Sequence, residues 1–420
     1  MKVYKFGGAS VSTADGIRNL RSIVKDEKRL FIVVSAMGKT TNALERVFMS
    51  LQSGDRPAAM EHVAGLRRYH GEVIGELFAG GVTSLPEVEN LFAELEDHIR
   101  TGVYDPHEGE MWYDRIVSYG ELLSTTIISA YLSATGVANR WIDMRRCIVT
   151  DARHKDAGID LEASSPLLHA AVDNDPSPLF VGQGFIGSTP DGETATLGRE
   201  GSDYSAAAVA NILSAESMSV WKDVDGVLNA DPRIFPDASH ISEMSYLDAI
   251  ELSYSGASII HPKTIKPLQN KGIPLYVRPF GDKRKPGTVI RSTARTIDIP
   301  ILIVKHDQVL VTVRARDLSF ILEERFADIF GLLERHRIRT NLIHNSAVNL
   351  SLCIDRSWRL DEAVAELRGE GYDVLCSEGM ELLTVRGYDT EMLKRFVDAQ
   401  DVYISQRTIS TLRIVRKKHA

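Results

Sequence analysis

The stretch Lys2-Val3-Tyr4-Lys5-Phe6-Gly7-Gly8 decides how this chain begins to fold. Its first five residues are typical of a β-strand, and the two glycines end it. Residues 14–28 then carry an apolar residue every three or four positions, which predicts a helix. Residues 30–34, Leu-Phe-Ile-Val-Val, are typical of a strand buried in a parallel sheet. This order predicts an α/β domain whose mostly parallel sheet lies between two layers of helices.

The same pattern continues along the chain. Residues 43–136 are predicted to be mostly helical, with breaks near Gly80-Gly81 and Asp105-Pro106. Strand-like runs return further on and each ends in a polar or glycine-rich loop, at residues 137–142, 179–181 and 218–221. Ligands of open α/β sheets bind beyond the carboxyl ends of the strands. The loops after these strands are therefore the candidate functional sites.

A polar connector at residues 291–298 predicts the end of this domain. We assign residues 1–294 to it, with a substrate half of about 1–215 and a nucleotide half of about 216–290. Residues 299–420 repeat a β-α-β-β order, which predicts two small ferredoxin-like α+β units. The predicted elements are strands 301–305, 309–314, 340–343, 349–354, 373–376, 380–385 and 411–415, with helices 318–336, 360–370 and 390–399.

Composition excludes several classes of function. A chain of 420 residues with 44% hydrophobic and 25% charged residues is an ordinary globular protein of more than one domain. Its net charge of -8 disfavours a general nucleic-acid binder. Three widely separated cysteines suggest neither a disulfide framework nor a zinc site. Without a signal peptide or a long apolar run, we expect a cytoplasmic protein that does not contact a membrane.

Two loops offer groups for phosphate and carboxylate chemistry. In the first, Gly7-Gly8 lets backbone N–H groups approach a phosphate near Lys5 and Ser10, although alone it favours a mere tight turn. No complete P-loop or Rossmann motif is present. In the second, residues 196–204, Arg199 suits a carboxylate, while Ser202 and Asp203 are equally suited to cap the following helix, residues 205–213.

Further candidates lie on other loops. Glu121, beside a glycine at the head of an apolar helix, suits a substrate ammonium or is an ordinary first-turn acid. Thr41 suits a substrate or caps the next helix. Residues 221–233 mix three acids with two bases, as a nucleotide pocket would, although Asp225-Gly226 alone predicts a turn. Residues 256–263 predict a helix end with His261 packed inside.

Together these loops resemble the amino acid kinase family, and within it the aspartate kinases, along nearly the whole chain. The similar stretches are Lys5-Phe6-Gly7-Gly8-Ala9-Ser10-Val11, Ser35-Ala36-Met37-Gly38-Lys39-Thr40-Thr41-Asn42 and Gly120-Glu121-Leu122-Leu123-Ser124. The resemblance implies that Thr41, Glu121, Arg199 and Ser202 contact L-aspartate. It implies that Lys5 and Asp203 are catalytic and that the nucleotide contacts are Lys5, Gly7, Gly8, Ser10, Lys222, Asp223, Leu228, Arg233, Ser258 and Ile259. Mg²⁺ would arrive with ATP, without a metal site on the protein.

The sequence departs from the family pattern at two nucleotide positions. Leu228 stands where tyrosine is frequent, and Ser258 replaces a common lysine. Phosphoryl transfer depends on positioning and charge neutralisation, so a lost cation must be replaced. Lys222 or Lys263 is the candidate replacement.

The C-terminal region resembles tandem ACT units, which in these kinases sense end-product amino acids. Asn341 and Ala347 stand where lysine-sensing members often carry acids, so the side-chain ammonium of a bound lysine would lose its natural partners. The alternative is a module that only joins subunits in a homodimer or higher homo-oligomer.

The resemblance implies direct attack of the aspartate β-carboxylate on the γ-phosphoryl group of ATP, giving 4-phospho-L-aspartate in the first step towards lysine, threonine and methionine. A carboxylate is a nucleophile at neutral pH, so no strong general base is required. The alternatives are another amino acid kinase, of the glutamate or acetylglutamate type, and a catalytically weak amino-acid sensor.

Overall fold

The computed structural model describes residues 1–78, 80–257, 260–293, 297–316, 323–392 and 401–418. Their contacts divide the chain into two compact units. The first unit contains residues 1–227, 240–250 and 259–296, and the second contains residues 228–239, 251–258 and 297–420. The predicted boundary after residue 294 stays a prediction.

Up to residue 291 the structure alternates strands and helices. The strands are β1 (Lys2–Phe6), β2 (Leu30–Val34), β3 (Asn139–Ile142), β4 (Val149–Thr150), β5 (Ile159–Asp160), β6 (Leu179–Gln183), β7 (Ile186–Ser188), β8 (Thr194–Thr196), β9 (Ser217–Lys222), β10 (Val227–Leu228), β11 (His240–Ile241), β12 (Glu243–Ser245), β13 (Leu275–Pro279) and β14 (Thr288–Arg291). The helices are α1 (Ala14–Val24), α2 (Thr40–Gln52), α3 (Arg56–Leu77), α4 (Pro86–Thr101), α5 (Gly109–Val117), α6 (Tyr119–Ala134), α7 (Leu161–Val172), α8 (Gly201–Ile212), α9 (Tyr246–Tyr254) and α10 (Pro262–Lys271).

The first unit is built on an eight-stranded sheet in the order β12-β14-β13-β9-β1-β2-β6-β3. Neighbouring strands run parallel except β13 and β14. The mostly parallel sheet predicted from the sequence is therefore confirmed. A separate four-stranded sheet, β5-β4-β7-β8, was not predicted, because its strands are only two or three residues long and carry little periodic signal.

The opening strand-helix-strand unit shows why its secondary structure could be predicted from the spacing of apolar residues. All five residues of β2 are buried, as a central parallel strand requires. Helix α1 buries Ile17, Leu20, Ile23 and Val24 on the face predicted from their spacing. It begins after Thr13, whose hydroxyl accepts from the Gly16 N–H, and it ends four residues earlier than the predicted position 28. The helices predicted within residues 43–136 are α2 to α6, with additional breaks between α2 and α3 and between α5 and α6.

The second unit contains a six-stranded sheet and two described helices. Its elements are β15 (Ile301–Ala315), β16 (Thr340–Asn345), β17 (Asn349–Asp355), β18 (Tyr372–Arg386), β19 (Val402–Arg407), β20 (Thr411–Lys417), α11 (Glu323–Arg335) and α12 (Trp358–Gly369). The sheet is antiparallel throughout, in the order β16-β17-β15-β18-β20-β19. This antiparallel α+β architecture agrees with the predicted ACT-like fold.

Each of two long strands in this region takes the place of two shorter strands that the sequence predicted as separate. The strands predicted at 301–305 and 309–314 form one strand, β15, with a register shift between Lys305 and Gln308. Similarly, 373–376 and 380–385 form the single strand β18. The separation predicted at these points was wrong, because an irregularity in pairing interrupts the sequence pattern without ending the strand. Strand β19 was not predicted, and most of the helix predicted at 390–399 lies outside the described residues.

No helix in the described part of the chain is both long and apolar enough to cross a membrane.

Candidate active site

A cavity of about 390 Å³ opens at one edge of the eight-stranded sheet. Strands β9, β1, β2 and β6 lie side by side and end level there, since Phe6 pairs with both Trp221 and Val34, and Val34 pairs with Gln183. We refer to it as the sheet-edge cavity. It is lined by Lys5, Gly8, Ser35, Ala36, Gly38, Thr41, Glu121, Phe185, Gly198, Glu200, Gly201, Ser202, Asp203 and Lys222. Parallel strands thus bring together loops that are far apart in sequence.

One buried carboxylate holds two lysines in this cavity. The Nζ of Lys5 lies 2.7 Å from Oδ1 of Asp203, and the Nζ of Lys222 lies 3.7 Å from Oδ2. Only 3% of the Asp203 side chain is exposed. Burial alone would raise the pKa of Asp203, but the positive charges of Lys5 and Lys222 outweigh it and hold the pKa below its usual value. A carboxylate that is kept in its ionised form therefore lies between the two lysine side chains.

The glycine loop after β1 packs tightly against the loop after β2. The N–H of Gly38 donates to the carbonyl of Gly8 over 2.9 Å. A side chain at Gly8 would overlap the carbonyl oxygen of Ala36, so only glycine fits there. At Gly7 the nearest heavy atom to an added Cβ would be Nζ of Lys5, at 3.7 Å. Gly8 is thus required for loop packing, whereas Gly7 leaves the space beside Lys5 open.

Glu121 lies in the first turn of α6 and is buried against this cavity. Its Oε1 accepts from the Ala36 N–H over 3.1 Å, while Oε2 has no hydrogen-bond partner among the described residues. Burial raises the pKa of Glu121 to about 8, against the lowering effects of its backbone hydrogen bonds and of Lys5. An unpartnered carboxylate oxygen in a polar cavity is a binding group for a cation brought by a ligand.

The loop that leads into α8 presents further polar groups. Glu200 precedes the helix with a left-handed backbone, φ 55°, and its side chain makes no capping hydrogen bond. Ser202 and Asp203 lie in the first turn of α8, so neither is the N-cap residue considered from the sequence. The same holds for Thr41, because α2 begins at Thr40 after Lys39. Thr41, Ser202 and Asp203 all line the cavity instead.

A buried aspartate, Asp114, holds the start of the loop that leads into α8. Asp114 of α5 is fully buried and accepts hydrogen bonds from the backbone and hydroxyl of Thr196, from the Lys155 N–H and from His154. Burial raises the pKa of Asp114 despite these hydrogen bonds, which lower it. Thr196 ends β8, two residues before Gly198. Sequence reasoning missed Asp114, because its partners are 40 or more positions away in the chain.

Other predicted site residues do not line the sheet-edge cavity. Arg199 is exposed, between the lining residues Gly198 and Glu200, and Asp223 is exposed just after β9. Ser10 is buried, with its carbonyl against Gly16. Leu228 and Arg233 belong to the second unit, where Arg233 pairs with Asp231. Ser258 and Ile259 lie outside the described residues.

Phe185 and Glu200 line the cavity but were not predicted. Both have left-handed backbones, with φ of 68° and 55°, although neither is glycine. Such conformations are costly and cluster at functional sites. In the sequence, only the position of Phe185 just after Gly182-Gln183-Gly184, at the end of β6, pointed to it. His261, predicted to lie at a helix end, instead caps the start of α10 by accepting from the Lys263 N–H.

Comparison with known proteins shows which family and which proteins this chain is similar to. The amino acid kinase family model matches residues 1–279. Lysine-sensitive aspartokinase 3 of Escherichia coli is 32% identical over 361 residues, which cover 84% of this chain and 78% of that protein. The chloroplastic bifunctional aspartokinase/homoserine dehydrogenase 2 of Arabidopsis thaliana is 32% identical over 69% of this chain, which spans only 32% of the plant protein. The structure of E. coli aspartokinase III in complex with aspartate and ADP matches with a TM-score of 0.82 and 28% identity, covering 99% of this chain and 96% of that one.

Proposed function

The chain belongs to the amino acid kinase family, and we propose that it is an aspartate kinase. It transfers the γ-phosphoryl group of ATP to the β-carboxylate of L-aspartate and releases ADP and 4-phospho-L-aspartate. The observation that carries the proposal is the pairing of opposite binding groups in one cavity. Glu121 offers a carboxylate oxygen that has no hydrogen-bond partner in the described part of the chain, and Lys5 and Lys222 offer cations. An amino acid with an ammonium group and a phosphate acceptor would satisfy both.

The proposed substrate contacts follow from charge and position. Glu121 binds the ammonium group of aspartate, and Thr41 and Ser202 donate hydrogen bonds from the cavity wall. Arg199, exposed and beside lining residues, turns inward to bind the α-carboxylate as a bidentate partner. The β-carboxylate is then left to face the phosphoryl group. These contacts require that Arg199 changes its side-chain conformation when aspartate binds.

The proposed chemistry is an in-line displacement. An oxygen of the β-carboxylate attacks the γ-phosphorus, the bond from that phosphorus to the β,γ-bridging oxygen breaks, and ADP takes the electron pair. No proton has to be removed from the nucleophile, since a carboxylate is ionised at neutral pH. Lys5 neutralises charge on the transferring group, and Asp203 positions Lys5 and Lys222. The backbone N–H groups of Gly7 and Gly8, together with Ser10, hold the phosphates.

Lys222 is the better candidate for the cation that Ser258 does not supply. Its Nζ is 3.7 Å from Asp203 inside the sheet-edge cavity. Lys263, the other candidate, instead pairs with Asp156 at 2.5 Å and does not line the cavity. We therefore assign the second phosphate contact to Lys222, and the remaining nucleotide contacts to Asp223, Leu228, Arg233, Ser258 and Ile259.

Mg²⁺ fits this site as a companion of ATP. Both oxygens of Asp203 already face lysines, which favours a metal held by the phosphates and water over one held by this carboxylate. The ion would neutralise phosphate charge during transfer.

We further propose how the chain is divided into domains, what it binds and where in the cell it acts. Residues 1–294 form the kinase domain, and residues 299–420 form the tandem ACT-like region, which joins subunits in a homo-oligomer and offers a site for an amino-acid effector. The described cysteines are free thiols, which agrees with a cytoplasmic enzyme. Its product would enter lysine, threonine and methionine synthesis.

An ADP-release assay with aspartate, glutamate and acetylglutamate tests the proposal. We expect turnover with aspartate to exceed turnover with either analogue by at least about 100-fold, because a site built for one acceptor length misplaces another. Turnover with glutamate or acetylglutamate alone would assign another amino acid kinase activity. No turnover, together with binding of an amino acid by calorimetry, would assign a sensor.

A further inference from the structure

A second and larger cavity, of about 770 Å³, lies in the first unit between α2 and α3. We refer to it as the α2–α3 cavity. Its lining comes from the residues around the start of α2, from α3 and from Ser12, and it shares no lining residue with the sheet-edge cavity. None of the described residues that we propose as substrate or nucleotide contacts lines it. Its size suits a small metabolite.

The lining of this cavity is positively charged. Lys39, Arg46 and Arg68 are exposed, and among the described residues none of them forms an ion pair or a side-chain hydrogen bond. Glu61 is the one carboxylate among the lining residues that the structure describes. By contrast, the neighbouring Arg67 points elsewhere and bridges Glu89 and Glu96. Three cations facing one acid, in a chain of net charge -8, form a local site for anions.

A buried hydroxyl and a helix start add neutral donors to these charges. Thr40 lines the cavity and is 1% exposed, yet its Oγ1 has no hydrogen-bond partner in the described part of the chain. Helix α2 begins at Thr40 without a side-chain cap and without an acidic residue in its first turn. The first N–H groups of a helix attract anions. Tyr69 and Leu66 supply an apolar wall for the body of a ligand.

The loops of the sheet-edge cavity continue into the α2–α3 cavity. Gly38 and Thr41 line the first, while Lys39 and Thr40 between them line the second. The Tyr69 hydroxyl donates to the carbonyl of Ser12 over 2.6 Å, which ties α3 to the loop that follows Gly7-Gly8. A ligand held by Lys39 and Thr40 would therefore act on the backbone that positions Thr41.

We propose that the α2–α3 cavity binds a small polyanion with at least two phosphate or carboxylate groups, and that its occupancy changes the affinity of the sheet-edge cavity for its substrate. Lys39, Arg46 and Arg68 bind the anionic groups, and Thr40 donates a hydrogen bond. The binding claim is independent of the proposed kinase activity. The claim that the two cavities are coupled rests on the proposed kinase activity.

Calorimetric titration of the full chain with inorganic pyrophosphate and with citrate tests the binding. The titrations are run with and without saturating ADP and aspartate, so that competition at the sheet-edge cavity is visible. We expect at least one probe to bind in both conditions. The double variant Arg46→Gln/Arg68→Gln should weaken binding at least tenfold, and the matched control Arg100→Gln, an exposed arginine of α4, should not. Citrate binding assigns carboxylates, and pyrophosphate binding assigns phosphates.

Two results would overturn the site: neither probe binds once ADP and aspartate are present, or the double variant binds as the wild type does. Thermal unfolding and circular dichroism establish that the variants are folded. For the coupling, the bound probe should change the KM for aspartate at least twofold in the wild type and not in the double variant. An unchanged KM would refute the coupling. A chain that does not turn over aspartate would fail the proposed function while the calorimetry still decides the site.

Discussion

Asp203 lies between two lysines and is paired more closely with Lys5, at 2.7 Å, than with Lys222, at 3.7 Å. Lys5 comes from the first strand and Asp203 from α8, nearly 200 positions later in the chain. The carboxylate fixes both cations beside the space where phosphates would lie.

Replacement of Asp203 by asparagine should lower both stability and turnover. The variant keeps the size of the side chain but leaves two lysines without their carboxylate. Loss of one partner of a buried ion pair costs about 3 kcal/mol of unfolding free energy, and misplacing a charge-stabilising group lowers kcat by about 100-fold or more. Urea unfolding and ADP release measure the two effects. Asp173→Asn, a change at an exposed carboxylate, is the control. Near-normal kcat in a folded Asp203→Asn variant would contradict a positioning role.

Replacement of Lys222 by alanine should impair nucleotide use, whereas replacement of Lys263 should not. Lys222 lines the sheet-edge cavity, and Lys263 pairs with a partly exposed aspartate away from it. We expect Lys222→Ala to lower kcat/KM for ATP by about tenfold or more, by analogy with the loss of other charge-stabilising groups. Lys263→Ala should stay within about twofold. Initial rates at varied ATP separate the two. If both variants keep normal ATP kinetics, neither lysine replaces the missing cation.

The pH dependence of stability should change when Glu121 is replaced by glutamine. The folded protein holds a proton on Glu121 up to about pH 8, whereas the unfolded chain releases it near the ordinary glutamate pKa of 4.5. The unfolded state therefore binds fewer protons between these values, and this group makes the free energy of unfolding fall as pH rises from about 4.5 to 8. Glu121→Gln should lose that part of the slope. Urea titrations at several pH values measure it, and parallel curves for both proteins would refute the raised pKa.

Substrate affinity should show the same titration in the opposite sense. The ionised carboxylate is the form that binds an ammonium group, so the KM for aspartate should fall as pH rises towards 8 in the wild type. In Glu121→Gln, KM should be at least about tenfold higher, since a charged hydrogen bond is lost, and should vary less with pH. A pH-independent KM in the wild type would argue against Glu121 as the ammonium ligand.

Alanine at Gly8 and at Gly7 should have different effects. At Gly8 the new methyl group would overlap the Ala36 carbonyl, so overpacking should cost about 1–3 kcal/mol of stability. At Gly7 an added Cβ meets only Nζ of Lys5 at 3.7 Å, so the fold should tolerate it while kcat falls. Thermal unfolding and ADP release on both variants check this difference. Equal losses of stability would show that the two loops pack differently from the structure.

Most of the fold could be predicted because periodic burial is a local property. The apolar runs of β2 and β6 mark strands that are buried on both faces, and the spacing of Ile17 and Leu20 marks the buried face of α1. The short strands β4, β5, β7 and β8 carried no such pattern. The merging of two predicted strands into β15 also escaped prediction, because its register shift is a matter of pairing with β18.

The sequence by itself determined the groups available to the site: Lys5 beside two glycines, Glu121 at a helix start, and Asp203 in a polar loop. Their protonation and partners were decided by tertiary structure, because burial and distance act between residues that are remote in the chain. Only the folded sheet places Lys222 rather than Lys263 beside Asp203 and gives Asp114 its four donors. It also leaves one oxygen of Glu121 without a hydrogen-bond partner among the described residues. The sequence specifies which side chains are present, and the parallel strands, whose ends lie level, bring those side chains next to one another.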